Sequence, residues 1–192
     1  SKSDTSTSSD PDSAHSSRTW IEFDVSGVAP SGAHVLSATL NLYVIDGEAL
    51  VASILGQPAF GNPSPASPLP TGVYLPDGPW GEQTITWDNE PGEQSLLSMI
   101  NLSGVEQWAT WDVTAAVKAW ADGAPNNGLF IEQEEVVASA TALTNVAAAL
   151  YASSAFADAG VRPFLSITVV PEPTTLALTT LLAISGLASR RR

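Results

Sequence analysis

Cysteine is absent from the 192-residue chain, and lysine and arginine together number only seven. Without cysteine the chain has no disulfide framework, no thiolate zinc site and no cysteine nucleophile. The body of the chain, residues 1–170, carries four basic residues against 19 acidic ones. Because nucleic-acid binding requires lysine and arginine to displace counterions from phosphates, we exclude nucleic acid as a partner.

Histidine is also scarce, which limits the enzyme chemistries open to the chain. His15 and His34 lack the spacing of a metal-ligand pair, and no serine lies in a Gly-x-Ser-x-Gly elbow. Glu132, Glu134 and Glu135 could supply acid–base chemistry, but alternating polar residues at a strand end are typical of a solvated face. We therefore predict no catalytic residue, no metal ligand and no cofactor. A structural calcium ion is compatible with the sequence, but no motif indicates one.

Composition divides the chain into three segments. Residues 1–17 are almost entirely Ser, Thr, Asp and Ala, which predicts a flexible lead-in or a truncated first strand. Residues 18–170 alternate short apolar runs with turn signals and form the predicted folded domain. Residues 171–192 contain a Pro-Glu-Pro motif, an uncharged apolar run and three terminal arginines, and are predicted to lie outside that domain.

Alternation with period two predicts a mainly β domain. Ile21, Phe23 and Val25 alternate with polar residues, and residues 37–44 repeat the pattern more regularly. Further strands are predicted at residues 51–55, 84–87, 96–102, 108–111, 129–133, 146–152 and 164–170. Many short strands separated by turns favour an antiparallel, jelly-roll-like β-sandwich.

Two segments depart from the strand pattern. Residues 58–79 contain seven of the 14 prolines. Proline cannot donate to a sheet ladder, so we predict a long surface loop with no central strand through most of this segment. The alanine-rich residues 136–149 fit either a helix or a strand.

One stripe of apolar residues has helical spacing: Val113, Ala116, Val117 and Trp120. This stripe predicts one short helix that buries the Trp120 side chain. We expect Asp112 or Thr114 to cap the start of the helix and Gly123 to end it.

The six tryptophans are the feature of the composition that bears most directly on function. Trp87 and Trp120 lie on apolar stripes, which predicts core positions. Trp20, Trp80 and Trp108 lie on the polar face of a strand or in loops, where exposed rings stack on the faces of sugars. These three are the candidate glycan-binding residues.

Four blocks of the body resemble the DNRLRE domain, an exported β-sandwich module related to carbohydrate-binding modules. In chain order they are WIEFDVS and SATLNLYV (residues 20–26 and 37–44); WGEQTITWDNEP (80–91); WDVT, AW and NNG (111–114, 119–120 and 126–128); and YASS and RPFL (151–154 and 162–165). The resemblance spans about residues 19–170. It implies a noncatalytic sandwich that binds glycans or acts as a spacer in extracellular proteins.

The last segment resembles a PEP-CTERM sorting signal. Pro171, Glu172 and Pro173 are followed by 16 uncharged residues and then by Arg190, Arg191 and Arg192. A helix of that length spans roughly 24 Å, less than the roughly 30 Å of bilayer hydrocarbon, so it predicts a weak transmembrane anchor. The arginines keep the C-terminus cytoplasmic. The resemblance implies a membrane sorting protease of the exosortase type as partner.

These observations predict an exported bacterial protein that passes through an inner-membrane intermediate to the cell surface or extracellular matrix. Its predicted function is noncatalytic binding of extracellular polysaccharide. Two alternatives stay open at this point: a structural surface protein without a small ligand, and a polysaccharide hydrolase or lyase.

Overall fold

Eight strands and an α-helix make up the part of the chain that the computed structural model describes, residues 17–27, 33–48, 61–86, 88–133 and 148–171. The helix α1 is Thr114–Ala121, and Ala159–Val161 form a single 3-10 turn. The strands are β1 Ser17–Ile21, β2 Ala33–Ile45, β3 Leu69–Pro76, β4 Glu93–Leu102, β5 Gln107–Asp112, β6 Leu129–Gln133, β7 Leu150–Tyr151 and β8 Phe164–Pro171.

The strands form two antiparallel sheets. Sheet A has the order β1-β6-β3-β4. In sheet B the long strand β2 is central, with β5 along one side and both β7 and β8 along the other. This architecture confirms the mainly β, antiparallel fold predicted from the alternation of apolar and polar residues.

The core lies between the two sheets. From β2, the alternate residues Leu40, Leu42 and Val44 point inward and are fully buried. They join one apolar cluster with buried residues of sheet A, among them Leu69, Val73, Leu102, Leu129 and Ile131. The Trp111 side chain of β5 is fully buried, and its Nε1 donates a 3.1 Å hydrogen bond to the Thr71 carbonyl of β3. This bond ties the two sheets together through the core.

Helix α1 confirms the predicted apolar stripe. Ala116, Val117 and Trp120 are its buried residues, and Trp120 is 9% exposed. The start differs from prediction, because Val113 occupies the N-cap position and makes no side-chain capping bond. The neighbouring Asp112 carboxylate accepts a 2.8 Å hydrogen bond from the Thr114 amide, and hydrogen bonding by Thr114 lowers the pKa of Asp112.

The proline-rich segment contains a strand, so the prediction of a loop without a central strand is wrong at Leu69–Pro76. This strand, β3, lies between β4 and β6 in sheet A. Its prolines, Pro70 and Pro76, lie outside the stretch 71–74 that pairs with β6. Proline is tolerated where the strand has a neighbour on one side alone, and the doubly paired centre contains no proline.

Two other strand predictions need correction. The alternation at residues 20–25 is real, since Ile21, Phe23 and Val25 pack on the core, but the ladder ends at Ile21. Beyond that residue the side chain of Asn126 takes the place of a partner strand, donating a 2.8 Å hydrogen bond to the Phe23 carbonyl. Residues 82–84 form a turn, residues 85 and 86 continue it without strand structure, and Trp87 lies outside the described residues.

The remaining strand predictions overlap β2, β4, β5, β6 and β8. Of the predicted strand 146–152, residues 148–152 are described, and within them β7 comprises Leu150–Tyr151. The predicted strand at 51–55, and residues 136–147 of the ambiguous alanine-rich segment, lie outside the described residues. The division into segments 1–17, 18–170 and 171–192 stays a prediction, because residues 1–16 and 172–192 are also outside them.

Candidate functional site

The outer face of sheet B carries a cluster of three aromatic rings, two of them exposed. Because side chains alternate along a strand, the residues of β2 between the buried Leu40, Leu42 and Val44 point away from the core. One of them, Tyr43, pairs with Trp108 of β5. Phe164 of β8 joins them, and we call Tyr43, Trp108 and Phe164 the aromatic face.

Rings of the aromatic face contact each other edge to face. Trp108 lies 5.4 Å from Tyr43 and 5.0 Å from Phe164 between ring centroids, with interplanar angles of 75° and 73°. Trp108 and Phe164 belong to strands on opposite sides of β2, so their rings approach each other over β2. Both stay accessible to solvent, at 39% and 44% exposure. The result is a rigid apolar surface that is open to a ligand.

A polar residue beside these rings is held in a fixed orientation. Asn41 of β2, the partner of Phe164 in the ladder, is 8% exposed. Its Nδ2 donates to the carbonyl and hydroxyl oxygens of Thr39, at 3.1 and 3.2 Å. Its Oδ1 accepts a 2.9 Å hydrogen bond from the Thr110 hydroxyl. The aromatic face is therefore bordered by ordered hydroxyl and amide groups.

The outer face of sheet A also carries aromatic rings, but the loop between β3 and β4 covers them. Phe130 of β6 is fully buried, between Trp20 of β1 at 4.9 Å and Tyr74 of β3 at 5.1 Å. Trp80 and Ile85, from the loop between β3 and β4, pack against this group. Trp20 is consequently 8% exposed, and the expectation of an exposed Trp20 ring is wrong. Its outward direction was predicted correctly, but the covering loop was not.

Trp80 is half-buried and fixed in position by the turn before β6. Its Nε1 donates a 2.8 Å hydrogen bond to the Asn127 carbonyl, and its ring lies 5.4 Å from that of Trp20. Gly128, the next residue of the turn, has a φ of 74°. A Cβ there would lie 2.7 Å from the Ile21 carbonyl oxygen and 3.3 Å from the Trp80 Nε1. Glycine thus permits the close approach that positions the indole.

A cleft of about 380 Å³ opens beside Trp80; its lining residues are Pro79, Trp80, Gly81, Thr84, Ile85 and Asn89. The loop that forms it is held by hydrogen bonds of its own. The Thr84 and Ile85 amides both donate to the Gly81 carbonyl, at 2.9 and 2.8 Å. The Asn89 side chain donates to the Thr84 carbonyl at 2.9 Å and accepts from the Thr86 amide at 2.6 Å. The walls of the cleft are therefore fixed by the hydrogen bonds of these turns.

An ion-pair network fastens this loop to sheet A. Arg18 of β1 binds both Glu90 of the loop and Glu132 of β6, the latter at 3.1 Å, and its guanidinium lies 5.5 Å from the Phe130 ring centre. Burial raises the pKa of Glu132, and a hydrogen bond with Glu93 adds to the effect. Burial also raises the pKa of Glu90. Arg18 is thus shared by carboxylates of the loop and the sheet.

The structure separates the three tryptophan candidates. Trp108 is exposed as expected, Trp80 lines the cleft, and Trp20 is buried beneath the loop. Sequence reasoning missed Tyr43 and Phe164 as neighbours of Trp108. The alternation of β2 does place Tyr43 on the outward face, but its pairing with β5 and β8 could not be obtained from local pattern.

The sorting-motif residues are described only at their first position. Pro171 is the last residue of β8 and pairs with Ala33 of β2. Glu172, Pro173, Arg190, Arg191 and Arg192 lie outside the described residues, as do Glu134 and Glu135. Within the described ranges, no helix is long and apolar enough to cross a membrane, and no three acidic or histidine side chains are grouped to hold a metal ion.

Residues 64–149 match the model of carbohydrate-binding module family 96. The matched stretch runs from just before β3 to just before β7, and it contains the Trp80 cleft and Trp108. No curated protein matches the chain. The match supports a domain that is like a carbohydrate-binding module, built as a mainly β, antiparallel structure.

Proposed function

We propose that this chain is an exported, noncatalytic polysaccharide-binding protein, whose residues 18–170 form a DNRLRE-like β-sandwich. The observation that carries the proposal is the match of residues 64–149 to a family of carbohydrate-binding modules. The exposed rings of Trp108 and Phe164, with the half-buried ring of Tyr43 beside them, support it, because aromatic rings on a rigid sheet provide stacking surfaces for the apolar faces of sugars.

The aromatic face is the sugar-contact surface in this proposal. Its rings lie on three neighbouring strands of one sheet, so little conformational entropy is lost when a sugar binds. Each ring contributes about 0.5–1.5 kcal/mol beyond the area it buries. Ordering of a flexible sugar chain offsets part of this energy, so the expected affinity is modest.

The bound glycan in this proposal is neutral, or anionic with calcium as a bridge. The body of the chain has a net charge of −15, and salt at physiological strength, with a Debye length of about 8 Å, does not remove repulsion at contact. A long anionic polysaccharide therefore meets unfavourable electrostatics near the surface. Calcium ions bound between carboxylates of the protein and carboxylates of the polysaccharide would offset that repulsion.

The test is retention of the purified protein on a panel of insoluble neutral polysaccharides. Trp108→Ala and Phe164→Ala should each reduce retention, and the double variant should reduce it further. Leu96→Ala is the matched control, because Leu96 is 50% exposed but lies on β4 of the other sheet. All variants should unfold near the wild-type midpoint, since none of the three side chains is buried.

The result that would contradict the assignment is retention by the double variant at the wild-type level. If the wild-type protein binds no glycan in the panel, with or without calcium, then the structural surface protein is the better description. Retention that appears only on an anionic polysaccharide without calcium would refute the electrostatic argument.

We also propose that residues 171–192 are a PEP-CTERM sorting tail. Pro171, Glu172 and Pro173 form the motif read by an exosortase-type membrane protease, and Arg190, Arg191 and Arg192 hold the C-terminus in the cytoplasm. An inner-membrane intermediate then precedes release to the cell surface or matrix. Intact-mass measurement of surface-extracted protein should show loss of the residues from Thr174 onward, whereas a mature protein that retains Arg192 would refute the proposal.

A further inference from the structure

We propose that the Trp80 cleft is a second carbohydrate-binding site, placed on the opposite side of the protein from the aromatic face, so that one molecule bridges two glycan chains. This inference rests on the proposed function. It adds a site, a ligand size and a bridging activity to that function.

The opposite placement follows from strand alternation. In sheet B, Tyr43 and Trp108 point away from the core, because the residues beside them, Val44 and Ala109, are buried in it. In sheet A, Trp20 and Phe130 point away from the same core and belong to a separate apolar cluster. Trp80 packs on this second cluster, so the cleft lies on the outer side of sheet A.

The cleft has the features of a preformed site for a sugar residue. The Trp80 indole is held by its hydrogen bond to Asn127 and by contact with the Trp20 ring. Pro79 and Ile85 add apolar surface, and the exposed Thr84 supplies a hydroxyl group at the wall. Polar and apolar groups therefore share the walls of the cleft, which suits a sugar residue because a sugar has both hydroxyl groups and apolar ring faces.

The volume of the cleft limits the ligand. About 380 Å³ lies at the small end of the range for protein ligand sites, which suits one or two sugar residues rather than a long segment of chain. We therefore assign the cleft to a neutral terminal or side-branch sugar, and the open aromatic face to the middle of a chain. Two sites on opposite sides of a sandwich cannot both bind the same straight stretch of one chain.

The experiment is light scattering by the full chain mixed with soluble neutral polysaccharides: a mixed-linkage β-glucan, a galactomannan and dextran. Bridging should make scattering rise with protein concentration and fall again in excess protein, when each site binds a separate chain. Protein without polysaccharide measures self-association. With at least one of the three, we expect the wild-type protein to show this maximum above that background.

Thr84→Glu places a longer charged side chain in the cleft without altering a buried residue. Thr86→Glu is the matched control, since it makes the same change at an exposed position of the same loop that does not line the cleft. We expect Thr84→Glu to reduce bridging at least tenfold while retention on insoluble polysaccharide through the aromatic face persists. Thr86→Glu should behave as wild type. Both variants should unfold near the wild-type midpoint, since Thr84→Glu removes only an exposed 3.3 Å hydrogen bond from the Thr84 hydroxyl to the Gly81 carbonyl.

Undiminished bridging by Thr84→Glu would overturn the second site while leaving the aromatic face intact. Equal loss in Thr84→Glu and Thr86→Glu would also overturn it, because the effect would then come from charge on the loop. Reduced retention of the Trp108→Ala/Phe164→Ala double variant, together with persistent binding of short neutral oligosaccharides that Thr84→Glu abolishes, would support two separate sites. Failure of the wild-type protein to bind any glycan would refute the second site together with the proposed function.

Discussion

Trp111→Phe should test whether the hydrogen bond between the sheets stabilises the fold. Trp111 is fully buried, and its Nε1 lies 3.1 Å from the Thr71 carbonyl oxygen of the other sheet. Phenylalanine keeps an aromatic ring in the core but removes the donor. The change therefore separates the contribution of the hydrogen bond from most of the packing contribution.

The expected cost has two parts. Loss of a buried donor that leaves its acceptor without that partner costs about 1–3 kcal/mol. The smaller ring also leaves a cavity, and loss of buried atoms adds about 1 kcal/mol. We expect the free energy of unfolding to fall by about 2–4 kcal/mol. For a domain of this size the midpoint temperature should fall by roughly 5–15 °C.

Chemical denaturation followed by circular dichroism gives the free energy of unfolding and its dependence on denaturant. The control is Trp108→Phe, which is the same substitution three residues earlier on β5 but on the exposed side of the sheet. That control should change stability by less than about 1 kcal/mol. Equal stability losses in the two variants would refute the argument, since the bond between sheets would then contribute nothing of its own.

Three other changes test the helix, the ion-pair network and the turn. Trp120→Ala should cost about 3–5 kcal/mol in thermal or chemical unfolding, because the ring is buried in the core. Burial makes the Glu132 carboxylate less favourable in the folded state and raises its pKa above the usual 4.5. The protonated side chain therefore stabilises the folded state below pH 4.5, and this contribution is lost as the pH rises through the raised pKa. Glu132→Gln should flatten that part of the stability–pH curve. Gly128→Ala should lower the midpoint and shift the tryptophan emission of the protein, because the new Cβ would meet the Ile21 carbonyl oxygen and the Trp80 Nε1.

Local pattern was sufficient to predict elements whose buried side is defined by their own sequence. The stripe ending at Trp120 specifies a helix face, and the regular alternation from Ala38 to Val44 specifies a strand with one buried face. Both are buried as predicted. Strand β3 could not be predicted in the same way, because the prolines at its ends dominate a local window. Its place between β4 and β6 depends on pairing with residues far along the chain.

The candidate site likewise has some features that local pattern predicts and others that depend on distant segments. Exposure of Trp108 followed from its position among polar residues, but burial of Trp20 depends on a distant loop that carries Trp80 across the outer face of sheet A. Alternation reports the direction of a side chain, and does not report whether another segment covers it. The aromatic face required the pairing of β2 with β5 and β8, which sequence periodicity does not contain.

The pairing of β2 with β8 has a consequence for the rate and order of folding. It joins residues 33–41 to residues 164–171, and the pairing of β1 with β6 likewise joins segments more than 100 positions apart. Domains dominated by such non-local pairs fold slowly, because long loops must close before the contacts that stabilise them form. Until β8 arrives, one side of β2 has unpaired backbone groups along most of its length, which is a template for pairing with another chain. A nascent or truncated chain that ends before Phe164 should therefore aggregate, and a partner that holds β2 apart during synthesis should raise the yield of folded protein.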